Sequence, residues 1–107
     1  MHPELGALSN PWQPALLRNV ANVVTHATTL GIPVGVCGES AANPLLSIVF
    51  AGVGVDSVSA APSAVDAVSE ALRAVSLEQA HEAASIALAA TTAQDAESGV
   101  RALFEAS

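Results

Sequence analysis

The stretch of sequence that decides the fold is GIPVGVCG, residues 31–38. Gly31 is the residue type that ends a helix in the left-handed conformation, and the short β-type run Val34–Cys37 follows it. Upstream, residues 14–30 predict a helix, because apolar side chains recur along one face and polar ones occupy the other. The apolar face consists of Leu16, Leu17, Val20, Val23, Val24, Ala27 and Leu30. The predicted order is helix, tight turn and strand, with a cysteine at the strand end.

A second helix and strand follow this unit. Pro44 suits the first position of a helix, and the apolar run Leu45–Ala51 continues it up to Gly52 and Gly54, which we expect to end it. The short alternating run Asp56–Ala60 predicts the second strand. Helices and strands that alternate with tight connections are typical of parallel α/β folds.

The rest of the chain is predicted to be helical from three capping patterns. A hydroxyl side chain three residues before an acidic or amide residue can accept a backbone N–H at a helix start. The pattern occurs as Ser63 with Asp66, Ser76 with Gln79, and Thr92 with Asp95. Each predicted helix has an apolar face. This face includes Val65, Val68, Leu72 and Val75 in the first helix, Leu77, Ala80, Ala84, Ala87 and Leu88 in the second, and Ala96, Val100, Leu103 and Phe104 in the third.

Composition and charge exclude several classes of function. The 107 residues are 51% apolar and carry a formal net charge of −7, with three basic side chains, too few to bind a nucleic acid backbone. The longest apolar run, Pro44–Val55, is about half of the roughly 20 residues that a membrane span needs. No secretory signal is visible, and the single cysteine, Cys37, cannot form an internal disulfide. We expect a cytoplasmic protein without nucleic acid partners or a membrane span.

The number of strands predicts an incomplete fold. Two strands leave both outer edges of a sheet unpaired, and a (β/α) barrel needs about 250 residues and eight such units. With few aromatic side chains, the core must be built from small aliphatic residues. We therefore expect a fragment of a larger fold that associates with itself or folds loosely when isolated.

Cys37 is the first candidate for chemistry, since α/β proteins place reactive groups at the carboxyl ends of strands. Judged by spacing alone, an ordinary buried cysteine is the more common outcome. A cysteine nucleophile would need a histidine base, and His26 and His81 both fall on helix faces where we expect them to be solvated. No acidic or other ligating side chains have metal-site spacing. The residues alone leave the role of Cys37 open.

Two other motifs match known sites only in part. Residues 38–42 (GESAA) follow a strand and precede a helix as a nucleophile elbow does, but an alanine replaces its last glycine. A hydrolase would combine Ser40 with Asp56 and His81. Residues 52–57 (GVGVDS) lack the third glycine of a dinucleotide-binding motif, and the end of a helix explains their glycines better. The hydrolase is therefore a lesser alternative.

Several stretches together resemble a known enzyme family. GIPVGVCGE (31–39) followed by AANPLL (41–46) resembles the active-site cysteine segment of the phosphoenolpyruvate-utilising enzymes. NPWQPA (10–15), GVGVDSVS (52–59) and the predicted helix 63–75 agree with the same family. The most similar branch is Enzyme I of the sugar phosphotransferase system, phosphoenolpyruvate–protein phosphotransferase.

The resemblance implies a fold, α/β, and a function. It places residues 1–107 as the last two β/α units and terminal helices of the family's phosphoenolpyruvate-binding (β/α)8 TIM barrel. In the family, the cysteine at the position of Cys37 protonates enolpyruvate, while the phosphoryl group of phosphoenolpyruvate goes to an active-site histidine and on to a carrier protein for sugar uptake. Gly38 and Glu39 belong to the same motif and would shape the substrate loop. A thiol held rigidly at a strand end suits protonation at carbon.

Other parts of the family's site fall outside the region that this chain matches. The phosphate-binding arginines and the Mg²⁺ carboxylates lie upstream of it, and the phosphorylated histidine lies in an N-terminal domain. The implied partners are the rest of the barrel, that N-terminal domain, the histidine-containing carrier protein, phosphoenolpyruvate and pyruvate, in an enzyme that is a homodimer. We expect the chain alone to be inactive and to hold no metal.

Two alternatives stay open beside this family role. One is a catalytically inert remnant that acts as a structural or interaction module through its open strand edges. The other is a segment of a pyruvate phosphate dikinase or phosphoenolpyruvate synthase, which carry a similar cysteine segment. The motif NPWQP at residues 10–14 favours Enzyme I over these two enzymes.

Overall fold

The computed structural model describes residues 10–37 and 43–105. Helices and strands alternate through the first part of the chain and helices follow, so the predicted α/β organisation is confirmed. The elements are α1 (Pro14–Leu30), β1 (Gly35–Cys37), α2 (Pro44–Val53), β2 (Ser57–Ser59), α3 (Pro62–Arg73), α4 (Leu77–Ala89) and α5 (Ala93–Glu105). None of the helices in these ranges has the length and apolar character to cross a membrane.

The two strands form a parallel pair joined by the crossover helix α2. In the register, Gly35 lies opposite Ser57, Val36 opposite Val58, and Cys37 opposite Ser59. Val36 and Val58 pack against the helical core, whereas the side chains next to Val58 in β2 are exposed. One face of the sheet is therefore covered by helices and the other is open.

Helix α1 ends as the sequence predicts. Gly31 adopts a φ of 72°, the left-handed conformation that glycine reaches without strain. Its N–H donates to the carbonyl of Thr28 at 3.1 Å, and the Ile32 N–H donates to the carbonyl of Ala27 at 2.8 Å. These two bonds satisfy carbonyls in the last turn and turn the chain toward β1.

Helix α2 is longer than predicted. It begins at Pro44, and the Asn43 side chain accepts the Leu46 N–H at 3.1 Å. Gly54, with a φ of 109°, ends the helix, but the prediction that Gly52 also ends it is wrong. Gly52 lies inside the helix because α4 crosses there: a Cβ atom on Gly52 would overlap the Ala80 carbonyl oxygen and lie 2.5 Å from the Ala80 carbonyl carbon.

The predicted cap of α3 is also wrong. The helix begins at Pro62, after Ala61, and no side chain caps it. Proline has a fixed φ and no N–H to satisfy, so it starts the helix itself and leaves Ser63 within the first turn. The other two capping patterns are confirmed. Ser76 and Gln79 form a reciprocal capping box at 3.1 and 2.8 Å, and the hydroxyl of Thr92 accepts the N–H of Asp95 at 3.1 Å.

Helix α2 is the centre of the core. Leu46, Ser47 and Val49 are fully buried, and α4 packs on α2 through a face of small side chains. That face consists of Ala80, Ala83, Ala84 and Ala87. Helix α5 packs in turn on α4, with Ala96 and Val100 buried. Since alanine adds little width, the backbones of α2 and α4 approach closely.

The apolar face predicted for α1 is only partly covered. Leu17 and Val24 are buried against the core, but Leu16, Val23 and Leu30 are exposed. Helix α1 therefore packs along one edge of its apolar face and leaves the other edge to solvent.

Candidate functional site

The carboxyl ends of β1 and β2 meet at one edge of the sheet. Their last residues, Cys37 and Ser59, are opposite each other in the parallel register. This is the position where parallel α/β proteins carry their active sites. The structure describes Cys37 by its backbone, while Gly38, Glu39 and Ser40 lie outside the described residues.

The open face of the sheet is small and polar. Ser57 and Ser59 are exposed on β2, and Gly35 is exposed on β1. A Cβ atom on Gly35 would lie 2.8 Å from the Ser57 hydroxyl oxygen, so the missing side chain leaves room for that hydroxyl. The described side chains on this face are therefore small.

Asp56 fixes how the two strands align. Its carboxylate oxygen Oδ2 accepts the Val34 N–H at 2.7 Å, and its own N–H donates to the Val34 carbonyl at 2.8 Å. These bonds lie at the amino ends of the strands and set the register that places Cys37 opposite Ser59. The sequence predicts Asp56 at the start of the second strand and, in the hydrolase alternative, as the acid. Its bond to Val34 joins residues 22 positions apart and has no local signal in the sequence.

We expect Asp56→Ala to destabilise the chain by about 1 kcal/mol, because the Val34 N–H loses a charge-assisted partner at an exposed site. Asp56→Asn keeps a carbonyl oxygen in the same place and should lose less stability than Asp56→Ala. Urea unfolding followed by circular dichroism measures both, with Asp66→Ala on the exposed surface of α3 as the matched control. Equal stabilities of the two Asp56 variants would contradict this role.

The structure gives no support to the hydrolase alternative. The Asp56 carboxylate accepts the Val34 N–H at the amino ends of the strands, and Ser40 lies outside the described residues. His81 is exposed on α4 and His26 is exposed on α1, as predicted for solvated helix residues. Within residues 10–37 and 43–105, neither histidine side chain makes a hydrogen bond.

The described residues provide no metal site, and the depression that they line lies at the amino ends of the strands. In residues 10–37 and 43–105, no three His, Cys, Asp or Glu residues group as metal ligands would. An open depression of about 270 Å³ lies at the amino ends of the strands, between Thr28, Ile32 and Asp56. The three arginines are exposed, and Arg101 pairs with Glu97 at 2.9 Å.

A parallel α/β fold with a cysteine at a strand end defines a class of protein. Comparison with known sequences identifies the family. Residues 1–77 match the family described as PEP-utilising enzyme, PEP-binding domain, and the chain belongs to this family. The matched region includes α1, both strands, α2 and α3, and it ends where α4 begins.

Its relatives are much longer proteins. The chain is 41% identical over 104 residues to the phosphoenolpyruvate-protein phosphotransferase of Streptomyces coelicolor. The alignment covers 94% of this chain and 19% of that protein. It is 35% identical to a multiphosphoryl transfer protein of Rhodobacter capsulatus, covering 89% of this chain and 12% of that protein. Multiphosphoryl transfer protein 1 of Escherichia coli is 32% identical over 90% of this chain and 12% of its own length. The chain thus spans less than a fifth of these relatives.

Proposed function

We propose that residues 1–107 are the last part of the phosphoenolpyruvate-binding (β/α)8 barrel of a phosphoenolpyruvate–protein phosphotransferase. The identity to the Streptomyces coelicolor relative over 104 residues supports this assignment. The sheet supports it as well, because one face packs on helices and the other is open and polar. Barrel strands alternate in this way between side chains that face the helices and side chains that face the interior. The relatives named above favour the phosphotransferase over the dikinase or the synthase.

The observation that carries the proposal is the position of Cys37 at the carboxyl end of β1. Cys37 acts as the acid of the reaction. When the phosphoryl group leaves phosphoenolpyruvate for a histidine, the enolate double bond takes the thiol proton at its methylene carbon. Pyruvate forms, the thiolate remains, and water restores its proton. Gly38 and Glu39 shape the loop around the substrate.

The rest of the enzyme supplies the other groups. An N-terminal domain provides the phosphorylated histidine, a histidine-containing carrier protein takes the phosphoryl group for sugar uptake, and the enzyme is a cytoplasmic homodimer. Magnesium neutralises charge on the phosphoryl group during such transfers. The resemblance places its ligands upstream of the matched region, and the described residues contain no group of three metal ligands. The chain alone is inactive.

Fragment complementation tests the proposal. The chain is mixed with the Streptomyces coelicolor relative truncated before its matched segment, and phosphorylation of the histidine by phosphoenolpyruvate is followed with magnesium present. We expect transfer only when both pieces are combined. Cys37→Ala should lower pyruvate formation by about 100-fold or more, as for the loss of a general acid. Ser59→Ala, at the opposite position in β2, is the matched control and should keep most of the activity.

Two results would contradict the proposal. Binding of the two pieces without transfer would favour the inert module, which the exposed apolar side chains of α1 also suggest. Full pyruvate formation by Cys37→Ala would remove the acid role while leaving the barrel assignment intact. Histidine phosphorylation and pyruvate formation, measured side by side in the same reaction, separate phosphoryl transfer from carbon protonation.

A further inference from the structure

Asp56 contacts both polar groups of the Val34 backbone. Its carboxylate oxygen Oδ2 accepts the Val34 N–H at 2.7 Å, and its own N–H donates to the Val34 carbonyl oxygen at 2.8 Å. The Ser57 N–H donates to the same carbonyl oxygen at 3.3 Å. Val34 is therefore held at its donor and at its acceptor by a residue 22 positions further along the chain.

This contact joins the two connections that lead from a helix into a strand. Val34 follows the end of α1, and Asp56 follows the end of α2. The residue before Asp56 is Val55, whose N–H donates at 3.1 Å to the carbonyl oxygen of Phe50 in the buried core. The Asp56 backbone is thus tied to α2, and its side chain extends this tie to the start of β1.

Few other contacts fix the position of β1 along β2. Each strand is three residues long, so the ladder between them is short. A slip of β1 by two residues would bring Val34 opposite Val58 and keep valines on the helix-covered face, because side chains alternate along a strand. The hydrophobic pattern therefore does not exclude this slip. The Asp56 bonds oppose it, because it would carry the Val34 N–H about 6–7 Å away from the carboxylate.

The position of Val34 determines that of Cys37. Cys37 follows Val34 by three residues in an extended strand, so a displacement at Val34 is transmitted to the Cys37 backbone. A misplacement of about 1 Å in an active site can cost about 100-fold in rate. We propose that Asp56 is a positioning residue, which holds Cys37 at the place where its thiol gives its proton to enolpyruvate. This role rests on the function proposed above, and Asp56 acts from the opposite, amino end of the strands.

A disulfide between the strands tests the alignment without any enzyme activity. Cys37 is the only cysteine of the chain and lies opposite Ser59. Neighbouring strands are about 4.8 Å apart, which is within the reach of a disulfide. We expect Ser59→Cys to oxidise rapidly to an intramolecular disulfide. Adding Asp56→Ala should slow this oxidation by about 10-fold, and Asp56→Asn should slow it less, because its amide oxygen can still accept the Val34 N–H.

Ser76→Ala is the matched control for the loss of stability. The Ser76 hydroxyl caps α4 by accepting the Gln79 N–H at 3.1 Å, so its removal should destabilise the chain about as much as Asp56→Ala does. Ser76 lies in neither strand, and adding Ser76→Ala to Ser59→Cys should leave the oxidation rate unchanged. Equal rates for the Asp56→Ala and Ser76→Ala chains would overturn the proposal, since lost stability alone would then explain the effect of Asp56.

The complementation reaction tests the role in catalysis. A smaller folded fraction lowers histidine phosphorylation and pyruvate formation by the same factor, whereas a displaced thiol lowers pyruvate formation alone. We expect Asp56→Ala to lower the ratio of pyruvate formation to histidine phosphorylation by about 10-fold or more, and Asp56→Asn to restore most of it. Ser76→Ala should leave the ratio unchanged. An unchanged ratio in Asp56→Ala would overturn this proposal alone, whereas no transfer with the natural chain would overturn the proposed function and this role with it.

Discussion

Replacing Gly52 with alanine is expected to destabilise the chain by about 2–3 kcal/mol, although alanine is normally the better helix residue. The new methyl group would overlap the Ala80 carbonyl oxygen and lie 3.0 Å from the Ala84 Cβ. A backbone carbonyl cannot rotate away as a flexible side chain can. Helices α2 and α4 would have to separate, and with them the centre of the core.

Gly99→Ala is the matched control for this variant. Gly99 also lies inside a helix, and its added Cβ would lie 2.7 Å from the terminal Cγ2 of Ile86. Ile86 lies in α4, where a β-branched side chain has few χ1 rotamers, so part of the crowding remains. We expect a loss of about 1 kcal/mol, smaller than for Gly52→Ala because the contact is with one side-chain methyl group rather than with the backbone. Thermal unfolding followed at 222 nm compares the two variants. A Gly52→Ala chain as stable as Gly99→Ala would contradict the close contact between α2 and α4.

Trp12 gives the second large effect. Its side chain is 3% exposed within the core cluster, yet its indole N–H has no hydrogen-bond partner among the described residues. We expect Trp12→Ala to cost about 3–5 kcal/mol through the cavity that it leaves. Trp12→Phe keeps most of the apolar volume and removes a buried donor whose burial costs about 1–3 kcal/mol. The phenylalanine variant should therefore stay close to the natural chain in stability.

Urea unfolding followed by circular dichroism is the suitable measurement, because the chain has one tryptophan and both variants lose its fluorescence. A phenylalanine variant as unstable as the alanine variant would show that the indole N–H donates to an acceptor. In the natural chain, the fluorescence of Trp12 and the dichroism should change together if unfolding is two-state.

Local signals in the sequence predicted most of the element boundaries. Gly31, Pro44 and the Ser76–Gln79 box act through neighbours a few residues away, so their effect is visible in a short stretch of sequence. Gly52 was misinterpreted because a glycine inside a helix and a glycine at its end look alike locally. The difference comes from Ala80, far along the chain. Ser63 failed as a cap because Pro62 competes for the same helix start.

In the candidate site, too, local features could be predicted from the sequence and contacts between distant residues could not. The position of Cys37 at a strand end could be predicted from the flanking glycines and valines, and its strand is confirmed. The role of Asp56 could not, because its bond to Val34 exists only once the two strands are paired. The periodicity of α1 predicted one apolar face, but periodicity does not tell which of its side chains a partner element covers. Leu17 is covered and Leu16 is not.

The burial of α2 beneath α4 also has a consequence for synthesis on the ribosome. Helix α2 is almost entirely apolar, and the helix that covers it is completed only at Ala89. At translation rates of about 5–20 residues per second, α2 leaves the exit tunnel seconds before α4, the helix that packs over it. During that interval the nascent chain presents an uncovered apolar helix to the surrounding solution.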